Sequence, residues 1–332
     1  VTGALTNSGS LAISYSASVT AASLDNTGGI QVLAPGSGVG KALLNVTAGA
    51  AGFGTAGTLT GTVISEGAIE FLSGQISTIA AASELVLNGN DAFVEDSTAL
   101  GSNSALTGLA DIAGTLKLLS RASLSTTGSV TVTNSGGIDL EDGSPLSIGG
   151  TLTNSGFLEI GLSSSSCSVT AKSFVNSGTV ELGALSALNV SGATTNNDSI
   201  SIFSDTEELA GAVGGTGSFN PSTANLRFDS SVSAGQTINE SGTDALTLEQ
   251  AQNFAATISG FGTGDTIDAT NFLAPPATTF NFVENSGGTG GTLTLTDKSL
   301  NLTANIVMMG VYSNSNFTLA PDSGTGTLVK FV

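Results

Sequence analysis

The 332-residue chain contains no histidine, no tryptophan, two tyrosines and one cysteine. Without histidine it lacks the commonest general base and the commonest transition-metal ligand near neutral pH, which weighs against many enzyme classes. A single cysteine excludes an intrachain disulfide and a cysteine-built zinc site. Cys167 lies in Ser163-Ser164-Ser165-Ser166-Cys167-Ser168 and reads as a small residue in or near a turn. Positive charge is scarce: seven Lys and Arg against 26 Asp and Glu leave a formal charge of −19. Such a chain repels phosphate backbones and anionic membrane surfaces, so no nucleic-acid partner is expected. It also lacks any uninterrupted apolar run of about 18 residues, so no membrane insertion by a helix is expected. Val1 falls inside a repeat with no charged-then-apolar leader, which reads as a processed start or a fragment. Low cysteine and lysine with many acids suit an extracellular bacterial protein.

What the chain has in abundance is glycine, 45 residues of it, and a repeated phrase of Asn, two small or polar residues and an alternating apolar tail. The six copies start at Asn7, Asn26, Asn134, Asn154, Asn176 and Asn196. Where copies adjoin, their starts are 19, 20, 22 and 20 residues apart. That period marks one supersecondary unit stacked on the next. Asn and Gly are expected to supply left-handed backbone angles at a tight corner, and alternation places every second side chain on one face of a strand. The fold class is therefore all-β, a β-solenoid read as a right-handed parallel β-helix with rungs of about 20 residues.

Residues 1–204 form the repeat region and 205–332 a more irregular C-terminal β module, either a continuation or a cap. Between the second and third copies the theme weakens, and Ala48–Thr62 and Asp91–Ala113 read as inserted loops. Leu11, Ile13, Ile30, Val32, Ile138, Leu140, Leu158, Ile160, Val180, Leu182, Ile200 and Ile202 are the expected inward residues. Asn134, Asn154, Asn176 and Asn196, at equivalent corners, are expected to stack as a ladder of side-chain amides, a device for stability and not for binding. Glu249–Ala256 is the one segment expected to make a helical turn or two.

Beyond residue 205 the wording changes. Ser233-Ala234-Gly235-Gln236-Thr237-Ile238, then Ala255–Asp268, Phe282–Asp297, Thr303-Ala304-Asn305-Ile306 and Phe317–Val329 resemble the repeated C-terminal modules of very large secreted surface proteins of alphaproteobacteria. The likeness covers about residues 213–332, while the first 200 residues resemble, more generically, the Asn/Gly rungs of adhesin and autotransporter passenger solenoids. The resemblance implies export, often by a one-step type I route, and a role in adhesion, biofilm or cell-surface architecture. It implies no catalytic site. Gly262-Thr263-Gly264-Asp265-Thr266-Ile267-Asp268 is also similar to the strand that follows calcium-binding nonapeptides in repeats-in-toxin proteins. The Gly-Gly-x-Gly-x-Asp array of that family is absent here, so a calcium roll is not implied.

Chemistry-bearing residues are few. Asp139, Glu159 and Glu181 occupy the same outward position of three consecutive phrases and would form a carboxylate column at rung spacing. Calcium is the cation such oxygen ligands would take, with Asp265 and Asp268 as further candidates; the plainer reading is a solvated face. Asp91 with Glu95 or Asp96, and Asp265 with Asp268, are the acid pairs a sugar-cleaving β-helix would need, with Tyr15 or Tyr312 as a stacking aromatic. The C-terminal strand, with Leu328, Val329, Phe331 and Val332, reads as an open edge for assembly. The expected function is that of an extracellular structural or adhesive protein. It would be a self-associating subunit of a surface filament, layer or biofilm matrix on a Gram-negative bacterium, with host or matrix carbohydrate as its other partner and no required cofactor. The competing class is a carbohydrate-active β-helix enzyme or a monomeric polysaccharide-binding adhesin.

Overall fold

A computed structural model describes residues 3–14, 16–33, 41–162, 166–204 and 206–332. The chain is a β-solenoid of about 12 turns built from stacked parallel coils, and it divides into two compact units, residues 1–172 and 173–332. In the first unit most turns contribute a strand to each of three walls. The longest wall runs through Ser10–Ile13, Gly29–Val32, Thr62–Ser65, Glu84–Asn88, Thr115–Leu119, Gly137–Leu140 and Phe157–Ile160, all parallel. Its register stacks Leu11, Ile30, Val63, Leu85, Leu116, Ile138 and Leu158 in one inward column. Burying each such side chain stabilises the fold by about 1.5–3 kcal/mol, and the column needs every rung to be complete. Eleven of the twelve expected inward residues are buried; Leu11, on the first described rung, is half-buried.

The Asn phrase is a corner, but its glycine does not act as expected. In the phrase the Asn side-chain oxygen accepts the backbone N–H two residues on, as in Gly9 to Asn7 at 3.3 Å, Gly156 to Asn154 at 3.2 Å and Gly178 to Asn176 at 3.3 Å. None of the phrase's Asn or Gly residues has a positive φ. At Gly28 and Gly156 glycine is required because a Cβ would overlap the corner carbonyl of the rung below, Gly9 or Gly136. Close stacking of corners, and not a left-handed angle, selects it.

Amide-to-amide contacts between corners of successive rungs are present in both units. Asn7 donates to Asn26 at 2.7 Å, and Asn176 donates to Asn196 at 2.9 Å. Asn134 is not part of the ladder. Val132 sits opposite Asn154, and the corner from Val132 to Gly137 is longer than that from Asn154 to Phe157, so Asn134 is left exposed in the turn. In the second unit the ladder skips a rung. Gly215 has no side chain to offer, and buried Gln236, 40 residues from Asn196, reaches across to accept its amide at 3.2 Å and donate to its carbonyl at 2.7 Å. Asn196→Ala removes the link between Asn176 and Gln236 and leaves buried amide groups underpartnered. It is expected to lower stability by about 1–3 kcal/mol, measurable as a fall in urea midpoint at unchanged m-value.

The two segments expected as inserted loops are only partly loops: Thr58–Leu59 within 48–62, and Phe93–Asp96 and Asp111–Ile112 within 91–113, are wall strands paired in parallel with neighbouring rungs, so the excursions are shorter than expected. Within 48–62, Phe53 is fully buried and meets the edge of the Phe71 ring at 5.6 Å between centroids. Within 91–113, a 3₁₀ turn at Ser104–Leu106 is held by the Gln75 side chain, which accepts from Gly108 and donates to Ser104. The helical turn expected at 249–256 is a short 3₁₀ segment, Ala251–Asn253. Cys167 is a free, buried thiol pushed above its ordinary pKa by burial, as suits a small packed residue.

The change of wording at residue 205 is not a change of fold. In the second unit parallel pairing runs through Thr179–Leu182, Ser199–Phe203, Ser218–Ser222, Thr237–Asn239 and Thr257–Ser259. Direction reverses later. Thr278–Glu284, Gly290–Asp297 and Leu302–Met309 form an antiparallel meander whose last strand lies parallel to Thr257–Ser259. Thr327–Phe331 lies between Thr266–Ala269 and Phe317–Pro321, antiparallel to both. The open assembly edge expected at Leu328, Val329, Phe331 and Val332 is therefore corrected: both sides of that strand are paired, and Val329 is fully buried. The outer strand of the meander is blunted as well, since the Phe282 N–H donates to the Asn314 side chain at 2.9 Å. This half of the C-terminal module is a cap.

Candidate functional site

A constellation that gathers charge, an aromatic ring and a groove lies on the outer face of the long wall in the first unit. Period-two alternation that turns Ile138 and Leu158 inward turns Asp139 and Glu159 outward, and register makes them neighbours on adjacent rungs. Lys117, one rung below, is the register partner of Asp139. Its ammonium lies 3.5 Å from Asp139 and 3.8 Å from Glu84. Glu141, just past the end of its strand, joins the cluster, so that Asp139, Glu141 and Glu159 each bring a carboxylate oxygen within 4.8 Å of the others. One oxygen of Asp139 is buried without a hydrogen bond. Phe157, 36% exposed, lies beside them, two residues before Glu159 on the same face and opposite Gly137. Lys117, Gly137, Asp139, Phe157 and Glu159 line a groove of about 360 Å³.

Asp139 and Glu159 are thus brought together as expected. Glu181 lies on Thr179–Leu182 in the second unit, where its register partner is Ser201, and the next residue in that column is Asn220. Alternation puts Phe157 on the same outward face as Glu159, two residues on, but it could not reveal Glu141, which falls beyond the strand, or Lys117, which meets Asp139 only through register. The three clustered carboxylates offer the oxygen donors a calcium ion takes, against the positive charge already present on Lys117. Lys117→Met is therefore expected to raise Ca²⁺ affinity here roughly tenfold, about 1.4 kcal/mol and within the Coulomb interaction of adjacent charges near a surface. Asp139→Asn in the same background should remove the gain; calorimetric titration checks both.

The other candidates are dispersed. Asp91 pairs with Lys41, outside the excursion, at 3.0 Å, whereas Glu95 accepts the Gly101 N–H and Asp96 accepts from Thr98 within it. Glu95 is pushed up by burial, with the Gly101 bond opposing the shift. Asp265 is buried, and its two oxygens accept the N–H groups of Asp244 and Gly262 at 2.9 and 2.6 Å. Asp244 does the same for Ala224 and Ser241, one rung earlier. These are rung-to-rung staples. Asp268 lies on a different wall and is pushed up to about 6, first by burial and then by Asp322 and Glu249. Tyr312 is buried in the cap, with its hydroxyl donating to the Phe261 carbonyl at 3.0 Å, and is no surface platform. Tyr15 lies outside the described residues. No helix among the described residues is long and apolar enough to cross a membrane. No family model and no curated protein matches the chain.

Proposed function

We propose that this chain is an extracellular adhesive solenoid of a bacterial surface or matrix that grips polysaccharide in the groove beside Asp139 and Glu159. The observation that carries the reading is the exposed Phe157 ring set against carboxylates and an ammonium on a rigid sheet face: an apolar platform for a sugar face beside hydrogen-bonding groups for its hydroxyls. Binding is favoured over cleavage because Asp139 and Glu159 project side by side from one sheet, instead of flanking a bond from opposite sides. The excess of carboxylate favours neutral or amine-bearing sugars over acidic ones.

Co-sedimentation with insoluble glucose, glucosamine and uronic-acid polymers tests the proposal. Retention is expected on the first two and not on the third, with Phe157→Ala weakening it about tenfold. Equal retention by wild type and a Phe157→Ala, Asp139→Asn double variant would remove the groove from the account.

A further inference from the structure

Glu240 is an acid in a place built for an apolar side chain. Register in the second unit aligns Ile202 with Pro221, and the same wall carries Ser222 opposite Ser241, which puts Glu240 at the next level of that inward column. Its residue is 7% exposed, and neither carboxyl oxygen has a hydrogen-bond partner. The next rung offers Gly260, where a Cβ would overlap the Glu240 carbonyl, so nothing there shields the group with a side chain of its own. The charged and titratable groups that act on it are the carboxylates of Asp265 and Asp244 and the phenol of Tyr312. No cation is among them. Asp244 and Asp265 each have both oxygens taken by backbone N–H groups and cannot turn away. Tyr312 belongs to the aromatic cluster that seats the cap: its ring meets Phe282, Phe317 and Phe331 at 5.7–6.2 Å, and Phe317 stacks on Phe261 from the last rungs.

A buried carboxylate with two fixed carboxylates nearby and no donor is far costlier than the neutral acid in the same place. We propose that Glu240 is a proton-held latch between the last parallel rungs and the antiparallel cap, closed while the carboxyl keeps its proton and loosened when it ionises. The state it gates is defined by the topology. Lifting the cap would bare Thr257–Ser259 and Thr266–Ala269, two strand edges able to accept another strand. The latch is independent of the sugar groove, which lies in the other unit.

The sign of the pH effect is fixed. Burial, with Asp265 and then Asp244 adding to it, pushes the carboxyl up from its ordinary 4.5 to about 9. A raised folded-state pKa means stabilisation that is complete below the unfolded value and lost progressively as pH rises toward 9. While the open form ionises and the closed form does not, the opening constant grows tenfold per pH unit. Asp268, on a strand the cap covers, adds a similar slope only up to about pH 6, and Asp244 is raised as well, first by burial. The interval from pH 7 to 9 therefore isolates Glu240 from Asp268, and a substitution isolates it from Asp244.

Hydrogen exchange on the full chain, corrected for base-catalysed chemical exchange, reads the opening of Leu302–Met309 and Thr327–Phe331. The expected result is a rise of roughly tenfold per pH unit between pH 7 and 9 in the wild type, a clearly shallower rise in Glu240→Gln, and an unchanged one in the exposed control Glu284→Gln. An equal slope in Glu240→Gln overturns the latch. If that variant does not fold, carboxyl carbon chemical shifts of the native chain decide: a Glu240 midpoint above 8 supports the proposal and one below 6 overturns it. Adding 5 mM Ca²⁺ at pH 7 should leave the midpoint in place. A drop into the acid range, with the cap tightened, would make this a cation site and sink the proton latch.

Discussion

Leu158→Asp is expected to abolish folding of the first unit, with a loss of more than about 4 kcal/mol. Leu158 is fully buried and stands on Ile138 in the inward column. A carboxylate there enters a dry stack with no donor in reach, and a solenoid cannot isolate the damage, because each rung is the floor of the next. Ser147→Asp, an outward substitution on the neighbouring Pro145–Ile148 strand, should cost no more than about 0.5 kcal/mol, since that side chain is exposed. Far-ultraviolet circular dichroism and urea midpoints of the two variants separate the outcomes. Comparable midpoints would mean that the inward register is wrong.

The second large effect is expected at a corner. Gly156→Ala places a methyl on the carbonyl oxygens of Gly136 and Thr133, backbone atoms that belong to the rung below and cannot yield without opening the stack. A loss of about 3 kcal/mol is expected from such overpacking. Gly9→Ala occupies the same place in the phrase but meets nothing within 4 Å, and should be close to neutral. Thermal midpoints of the pair test whether glycine is selected by contact between corners. If left-handed geometry were the cause, both substitutions would be harmful to the same degree.

The contrast shows what was legible in the amino-acid sequence. Period-two alternation was enough to place Ile138, Leu158, Val180 and Ile200 inside, because burial on one face leaves no freedom of register. Corner length was not legible: Asn134 carries the same local phrase as Asn154, yet two extra residues put Val132 in its place. Strand direction was hidden for a more general reason. Asn285-Ser286-Gly287 repeats the corner phrase, and Asn285 accepts the Gly287 N–H at 3.1 Å, as Asn154 accepts that of Gly156. Gly288, with φ of +67°, then turns the chain back on itself. One local turn thus serves both a rung corner and a hairpin, and alternation on either side reads the same in both. The acidic groove was half legible, since the acids share a phase of the repeat and Phe157 shares the outward face of Glu159, whereas Lys117 reaches it through a register that only pairing defines.

The reach of Gln236 across the Gly215 rung has a meaning for how such chains diverge. A repeat can lose its signature residue and keep its place in the stack when a longer amide two turns away takes over the contact. Loss in one copy and gain in another then become tolerable as a pair, and the visible motif erodes faster than the architecture it once marked. Here six phrases stand for about 12 turns. Copy number counted from motifs will accordingly undercount turns in solenoids of this kind, and long-range amide substitutions are where the missing ones should be sought.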